Sequence, residues 1–181
     1  MRAVAEKKKA QNIPEYIIYM YQMEDLLRAY NFDLDDVRQY VISHYPISEA
    51  EKIEVAVWFA DLAFEMKNAK VEETGHLPQI QELVDQLASI HWSLLKTDRD
   101  YFDLYQNAKP HLIRLLLEAG ENAPKHEIQI ALNAIYGQLL ARLRSRDVPS
   151  DILEATDTFG DILSYLNWVY FSREEGKTRQ N

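Results

Sequence analysis

Residues Asn12 to Asn31 read Asn-Ile-Pro-Glu-Tyr-Ile-Ile-Tyr-Met-Tyr-Gln-Met-Glu-Asp-Leu-Leu-Arg-Ala-Tyr-Asn. Wound into a helix, this segment carries large apolar or aromatic groups on nearly every face. A helix of that kind has no side to give to water, so it belongs in the interior of a fold. Yet Gln22, Glu24, Asp25 and Arg28 sit together in its middle. Charges on an interior helix need partners. The combination predicts either a structural polar knot or a binding site.

The remainder of the chain repeats its apolar residues at helical spacing, and no run alternates in the manner of a strand. Asn12 should cap the helix just described, with Glu15 reaching back in a capping-box arrangement. Asp33 reads as the cap of a short helix carrying Leu34, Val37, Tyr40 and Val41, stopped ahead of Pro46, which disfavours helix at Tyr45. Ser48 and Glu51 form a second capping box. They open a helix to about Lys70 with Ile53, Val57, Ala60, Phe64 and Lys67 on one face. After the break Thr74-Gly75-His76-Leu77-Pro78 comes a helix with Ile80, Leu83, Leu87, Ile90 and Leu94 or Leu95 in register. The next, Tyr101 to Ala119, contains Pro110, which should kink or split it near Asn107, and Gly120 stops it. Two more follow, one with Ile128, Leu132, Ile135, Leu139 and Leu143, the other with Ile152, Phe159, Ile162 or Leu163, Leu166 and Val169. Gly137 and Gly160 interrupt these last patterns, which suggests that two helix axes approach closely there.

Short connections between such helices predict an all-α, single-domain, up-and-down bundle of about six to seven helices. Residues 1–11 read as a flexible basic N-terminus, 12–172 as the bundle, and 173–181 as a polar C-terminal tail.

At 181 residues the chain is long enough to bury a core without covalent staples. It contains no cysteine, which removes disulfides, thiolate nucleophiles and cysteine-held metals. A net charge of −9 argues against a nucleic-acid footprint. Lys7, Lys8 and Lys9 are followed by polar residues rather than an apolar run, so no secretory leader is expected. No window is apolar enough to span a membrane. The expected setting is cytoplasmic.

Several strings together resemble a bacterial family of short helical cytoplasmic proteins catalogued only as a domain of unknown function. They are Asn12-Ile13-x-Glu15-Tyr16-Ile17-x-Tyr19-Met20, Gln22-x-Glu24-Asp25-Leu26-x-Arg28-Ala29, Tyr45-Pro46-Ile47-Ser48, Gly75-His76-Leu77 and Ala134-Ile135-Tyr136-Gly137. The likeness runs from about Val4 to Tyr170. Tyr21 departs from it, standing where tryptophan is usual, and brings a hydroxyl that must be satisfied if buried. The resemblance implies a helical fold and a cytoplasmic setting. It implies no activity, so no catalytic residue is carried over.

Glu24 and Arg28 stand four apart with the acid first, the favourable order for a helical ion pair, and Asp25 reaches Arg28 at three. One reading makes them a satisfied internal network. The other makes Glu24, Asp25 and Arg28 a polar ligand pocket, with His91 facing them as a proton carrier. Glu73-x-x-His76 has the spacing of a di-iron ligand pair, but it falls on a loop and has no second copy, so no metal and no cofactor is expected. Asp33-x-Asp35-Asp36 reads as capping with favourable charge at a helix start. Tyr165, Trp168 and Phe171 form a second aromatic line on the last helix, a candidate homo-oligomer or partner interface. No nucleophile elbow, phosphate loop or zinc-protease motif occurs.

Two functions follow from these readings. The leading one is a non-enzymatic interaction or scaffold protein, with a large apolar patch on its outside and no cavity at the interior helix. The alternative is a small-molecule-binding or enzymatic bundle with a solvent-connected pocket lined by Glu24, Arg28 and His91.

Overall fold

Side-chain caps mark where the helices begin. In a computed structural model that describes residues 1–178, Asn12 Oδ1 accepts from the Glu15 amide at 3.0 Å. Asp33 Oδ1 accepts from the amides of Asp35 and Asp36 at 3.0 and 3.1 Å. Ser48 and Glu51 close a reciprocal capping box, and Asp98 Oδ1 accepts from the Tyr101 amide at 3.0 Å. Each satisfies a donor that the first helical turn leaves open.

The helices are α1 (Arg2–Gln11), α2 (Ile13–Ala29), α3 (Leu34–Tyr40), α4 (Glu49–Asn68), α5 (Pro78–Thr97), α6 (Arg99–Ala119), α7 (Glu127–Leu143) and α8 (Ser150–Thr178). Single 3-10 turns at Ile42–His44 and Gly120–Asn122 complete the order. Among the described residues the chain is all-helical, with eight α-helices rather than six or seven.

The additional helix is α1, over the residues that read as a flexible basic tail. It has few apolar side chains, so periodicity gave no sign of it, and its stability comes from contacts. Ala5 is buried, Lys9 lies 5.6 Å from the centre of the Tyr16 ring, and Lys8 pairs with Glu15 at 2.8 Å. Because the Asn12 amide donates to Lys8 O at the end of α1, Glu15 cannot close the expected capping box on it. The Glu15 carboxylate instead accepts from the Asn12 side-chain amide at 3.2 Å. At the other end α8 runs through Ser172 to Thr178, over most of the expected polar tail; positions 179–181 lie outside the described residues.

The chain also divides into two compact units, residues 1–82 and from Leu83 onward, where one domain was expected. In the first unit α2 packs against α1 and α4, and α3 against α4. The interior position of α2 follows from its sequence: Ile13, Ile17, Tyr21 and Leu27 are all essentially inaccessible. In the second unit α8 packs against both α6 and α7, burying Phe159, Ile162 and Leu166.

Three local expectations are corrected. Pro110 neither splits nor ends α6, which is continuous from Arg99 to Ala119. Pro110 and Gln106, whose carbonyl loses its donor, are both exposed, so water can take the vacant hydrogen bond. Gly137 and Gly160 mark no close helix crossing, since a Cβ at either position would meet nothing within 4 Å. The third concerns α4. Its interior face is Val55, Trp58, Phe59, Leu62, Ala63 and Met66, whereas the stripe of Ile53, Val57 and Phe64 points outward, at 60%, 54% and 66% exposure.

With open space and ordinary helical backbone at Gly137, Gly137→Ala should stabilise the protein by about 0.5–1 kcal/mol, by removing glycine's conformational freedom from the unfolded chain. A thermal melt should show the midpoint rising; a fall would restore the crowded crossing.

Candidate functional site

The charged residues of α2 converge on the loop between α4 and α5. Glu24 is fully buried. Its Oε1 accepts from the Leu77 amide at 3.0 Å, and its Oε2 lies 2.6 Å from His76 Nδ1, which donates to the carboxylate. The His76 ring stacks on Tyr21, one turn earlier on α2, with centroids 3.6 Å apart and planes 14° from parallel. One turn later, Arg28 spreads its guanidinium over the same loop. Nη2 donates to Val71 O at 2.8 Å and Gly75 O at 2.5 Å, and Nε donates to Glu72 O at 3.2 Å. Nη1 donates to Asp25 at 2.8 Å.

The loop is shaped for this contact. Gly75 adopts φ +85°, where a side chain is strained, and this conformation accompanies the carbonyl that Arg28 receives. Lys70, at φ +57°, closes α4 with the Val71 amide bonded back to Met66 O. One acidic and one basic group on α2 thus hold opposite kinds of partner in a single loop. The carboxylate takes N–H donors, and the guanidinium takes carbonyls. Burial, followed by the nearby charges of Glu65 and Glu24, raises the Tyr16 hydroxyl above its ordinary pKa.

His91 belongs to a different cluster. It is buried on α5, with Nδ1 2.6 Å from the Tyr101 hydroxyl and Nε2 3.2 Å from Glu127 Oε2. Tyr105 donates to the other Glu127 oxygen at 3.1 Å. One neutral tautomer satisfies the chain: Nε2–H donates to the carboxylate while Nδ1 accepts from Tyr101. The His91 hydrogen bond, followed by that of Tyr105, holds the Glu127 carboxyl below its usual range despite partial burial. Burial pushes the Tyr101 hydroxyl well up and, with Glu127 nearby, takes that of Tyr105 to about 12. The order carboxylate–imidazole–hydroxyl resembles a catalytic triad in connectivity alone, because Tyr101 has no solvent access. An enclosed hydroxyl cannot attack a substrate.

The four residues proposed from sequence as a pocket therefore serve separate networks. Glu24 and Arg28 bind the α4–α5 loop, Asp25 accepts from Arg28, and both ring nitrogens of His91 are engaged by Tyr101 and Glu127. Sequence reasoning did not find His76 as the partner of Glu24, nor Tyr101 and Glu127 as partners of His91. No spacing rule links residues so far apart, although Gly75-His76-Leu77 stood out as a string. Among the described residues no group of three or more His, Asp or Glu side chains is placed to hold a metal ion.

On α8, Tyr165 donates to Asp98 Oδ2 at 2.8 Å and its ring packs on Tyr101 and Trp168; the Tyr101 amide first, and then the Tyr165 hydroxyl, holds the Asp98 carboxyl below its ordinary pKa. Trp168 is 62% exposed, and Phe171 is half-buried beside Tyr170.

The chain belongs to the family described as Domain of unknown function (DUF4924), whose profile matches residues 2–177. No curated protein and no solved structure matches it. Within the described residues no helix is long and apolar enough to cross a membrane.

Two outcomes follow from these networks. Glu24→Gln should destabilise the protein by about 2–3 kcal/mol, because the amide cannot replace a carboxylate accepting from both His76 and Leu77; an unchanged denaturation midpoint would show that Glu24 does not hold the loop. Glu127 contributes stability that is full above its ordinary carboxyl value of 4.5 and is lost as pH falls through its lower folded value. The gap in unfolding midpoint between the parent and Glu127→Gln should therefore be wide near neutrality and close in acid. A gap independent of pH would mean that Glu127 acts by packing alone.

Proposed function

We propose that this chain is a non-enzymatic interaction protein, and that α4 presents its main contact surface. One observation carries the reading: α4 is apolar on two opposite sides, and only one of them faces the interior of its unit. Ile53, Val57 and Phe64 repeat at helical spacing on the outer side, with Ala60 half-buried between them. A contiguous row of large apolar groups facing water costs solubility and marks contact with another surface.

The internal accounting of polar groups supports this reading over a small-molecule site. Glu24 and Arg28 spend their hydrogen bonds on loop backbone, His76 and Asp25, so the two residues expected to receive a ligand are already engaged. His91 is likewise satisfied on both nitrogens. Trp168 offers a second, smaller aromatic contact that a homo-oligomer or partner protein can cover. A cytoplasmic setting belongs to the same proposal and rests on the family resemblance.

The reading predicts that Val57→Gln and Phe64→Gln keep the parent's melting midpoint to within about 0.5 kcal/mol of stability, as exposed substitutions do. Binding of an anilinonaphthalene dye to the native protein should fall in both. A drop of several degrees in midpoint would place the stripe inside the folded protein and overturn the proposal.

A further inference from the structure

The Tyr101 hydroxyl is closed to substrates, but an electron can leave it without a channel. Tyr101 has no exposed surface, and its hydroxyl donates to His91 Nδ1 at 2.6 Å. In the neutral tautomer of His91 that satisfies both contacts, Nε2–H donates to Glu127 at 3.2 Å. Tyr101 is therefore a phenol whose proton already points at a base. A phenol that loses an electron becomes a very strong acid, so its oxidation is easiest where a base takes the proton in the same step. The imidazolium so formed lies against the Glu127 carboxylate, an opposite charge little screened by water. Tyr165 and Tyr105 instead donate to the carboxylates of Asp98 and Glu127. A carboxylate is the weaker proton acceptor.

An aromatic line leads outward from Tyr101. Its ring centre lies 5.3 Å from that of Tyr165, and Tyr165 lies 5.6 Å from Trp168, which is 62% exposed. Steps between neighbouring rings at these distances are short for electron tunnelling. Tyr165 and Trp168 stand three apart on α8, so they share one face of it. Trp92 is also exposed and packs on His91 at 5.0 Å. That contact is a poor relay, because an imidazole is much harder to oxidise than a phenol or an indole.

We infer that Tyr101 is a one-electron redox site, a sink for oxidising equivalents that reach the surface of the protein at Trp168. A diffusible one-electron oxidant, such as a peroxyl radical, takes an electron from the Trp168 indole and becomes its anion. Tyr165 passes an electron outward to Trp168 and is refilled in turn by Tyr101. As Tyr101 gives up its electron the O–H bond breaks, and the proton moves to His91 Nδ1. The products are a neutral tyrosyl radical and an imidazolium paired with Glu127. An electron returned along the same line by a reductant of the thiol or ascorbate class brings the proton back to Tyr101. Burial of the ring keeps the radical from coupling with that of a second chain. The site is separate from the apolar row on α4 and does not depend on the interaction reading.

The test uses the full chain and photogenerated tris(bipyridine)ruthenium(III), a bulky oxidant that cannot enter the fold. Its positive charge draws it to a protein of net charge −9. Freeze-quenched samples should give the electron paramagnetic resonance signal of a neutral tyrosyl radical, and Tyr101→Phe should abolish it. His91→Gln keeps an acceptor for Tyr101 and a donor for Glu127 but removes the base. It should cut the radical yield about tenfold while the fold is kept. Trp168→Phe should slow formation of the radical about tenfold, and Trp92→Phe far less. A signal that persists in Tyr101→Phe, or an unchanged yield in His91→Gln, would overturn the inference. A larger effect of Trp92→Phe than of Trp168→Phe would overturn the route. Should a variant fail to fold, the parent protein decides the matter when it carries isotopically labelled histidine. The radical should then show hyperfine coupling to an imidazole nitrogen, and the lack of any coupling would overturn the inference.

Discussion

The first unit depends on a carboxylate with no access to water. A buried ionised group is tolerated only when its hydrogen bonds are complete, and Glu24 completes them on a loop that lies some fifty residues further along the chain. Leu77 supplies its amide and His76 its imidazole, and the imidazole is held flat against Tyr21. Arg28 takes the carbonyls of the same loop. The turn from α4 into α5 is thus fastened by α2 on both its donor and acceptor sides. The tyrosine at position 21, where the family resemblance leads one to expect tryptophan, acts here as a stacking surface for a histidine.

This fastening bears on function by subtraction. Charged side chains on an interior helix invite the idea of a pocket, and the same residues would suit an anion or a proton transfer. Because their capacity is used within the fold, the chemistry they could offer a ligand is already committed. The Glu127–His91–Tyr101 chain behaves in the same way: a sequence of groups familiar from catalysis ends at a hydroxyl that no substrate can reach. Among the surfaces that do face water, α4 sets Ile53, Val57 and Phe64 in one row. A surface of that kind is suited to recognising another protein.

The capping residues, most helix boundaries and the interior place of α2 were legible in the sequence because each rests on interactions within a few residues or on periodicity within one helix. The register of α5 through Ile80, Leu83, Leu87, Ile90 and Leu94 was readable for that reason. The helical state of residues 2–11 was not, since so polar a segment is held by contacts with Tyr16 and Glu15 rather than by an apolar face of its own. Pro110 misled in the other direction: its local cost is real, but an exposed carbonyl at Gln106 allows the helix to continue.

On α4 and at the charged cluster, local pattern reached its limit. A helix with apolar residues on two sides presents two equally good core faces to a reader of sequence, and only the placement of α2 and α3 decided that Val55, Phe59 and Leu62 go inward while Ile53, Val57 and Phe64 face water. Likewise, the sequence by itself required that Glu24 and Arg28 find partners, because unpaired charge in an interior is too costly. It could not name His76 and the loop carbonyls, because partnership between distant residues is set by how the chain closes on itself.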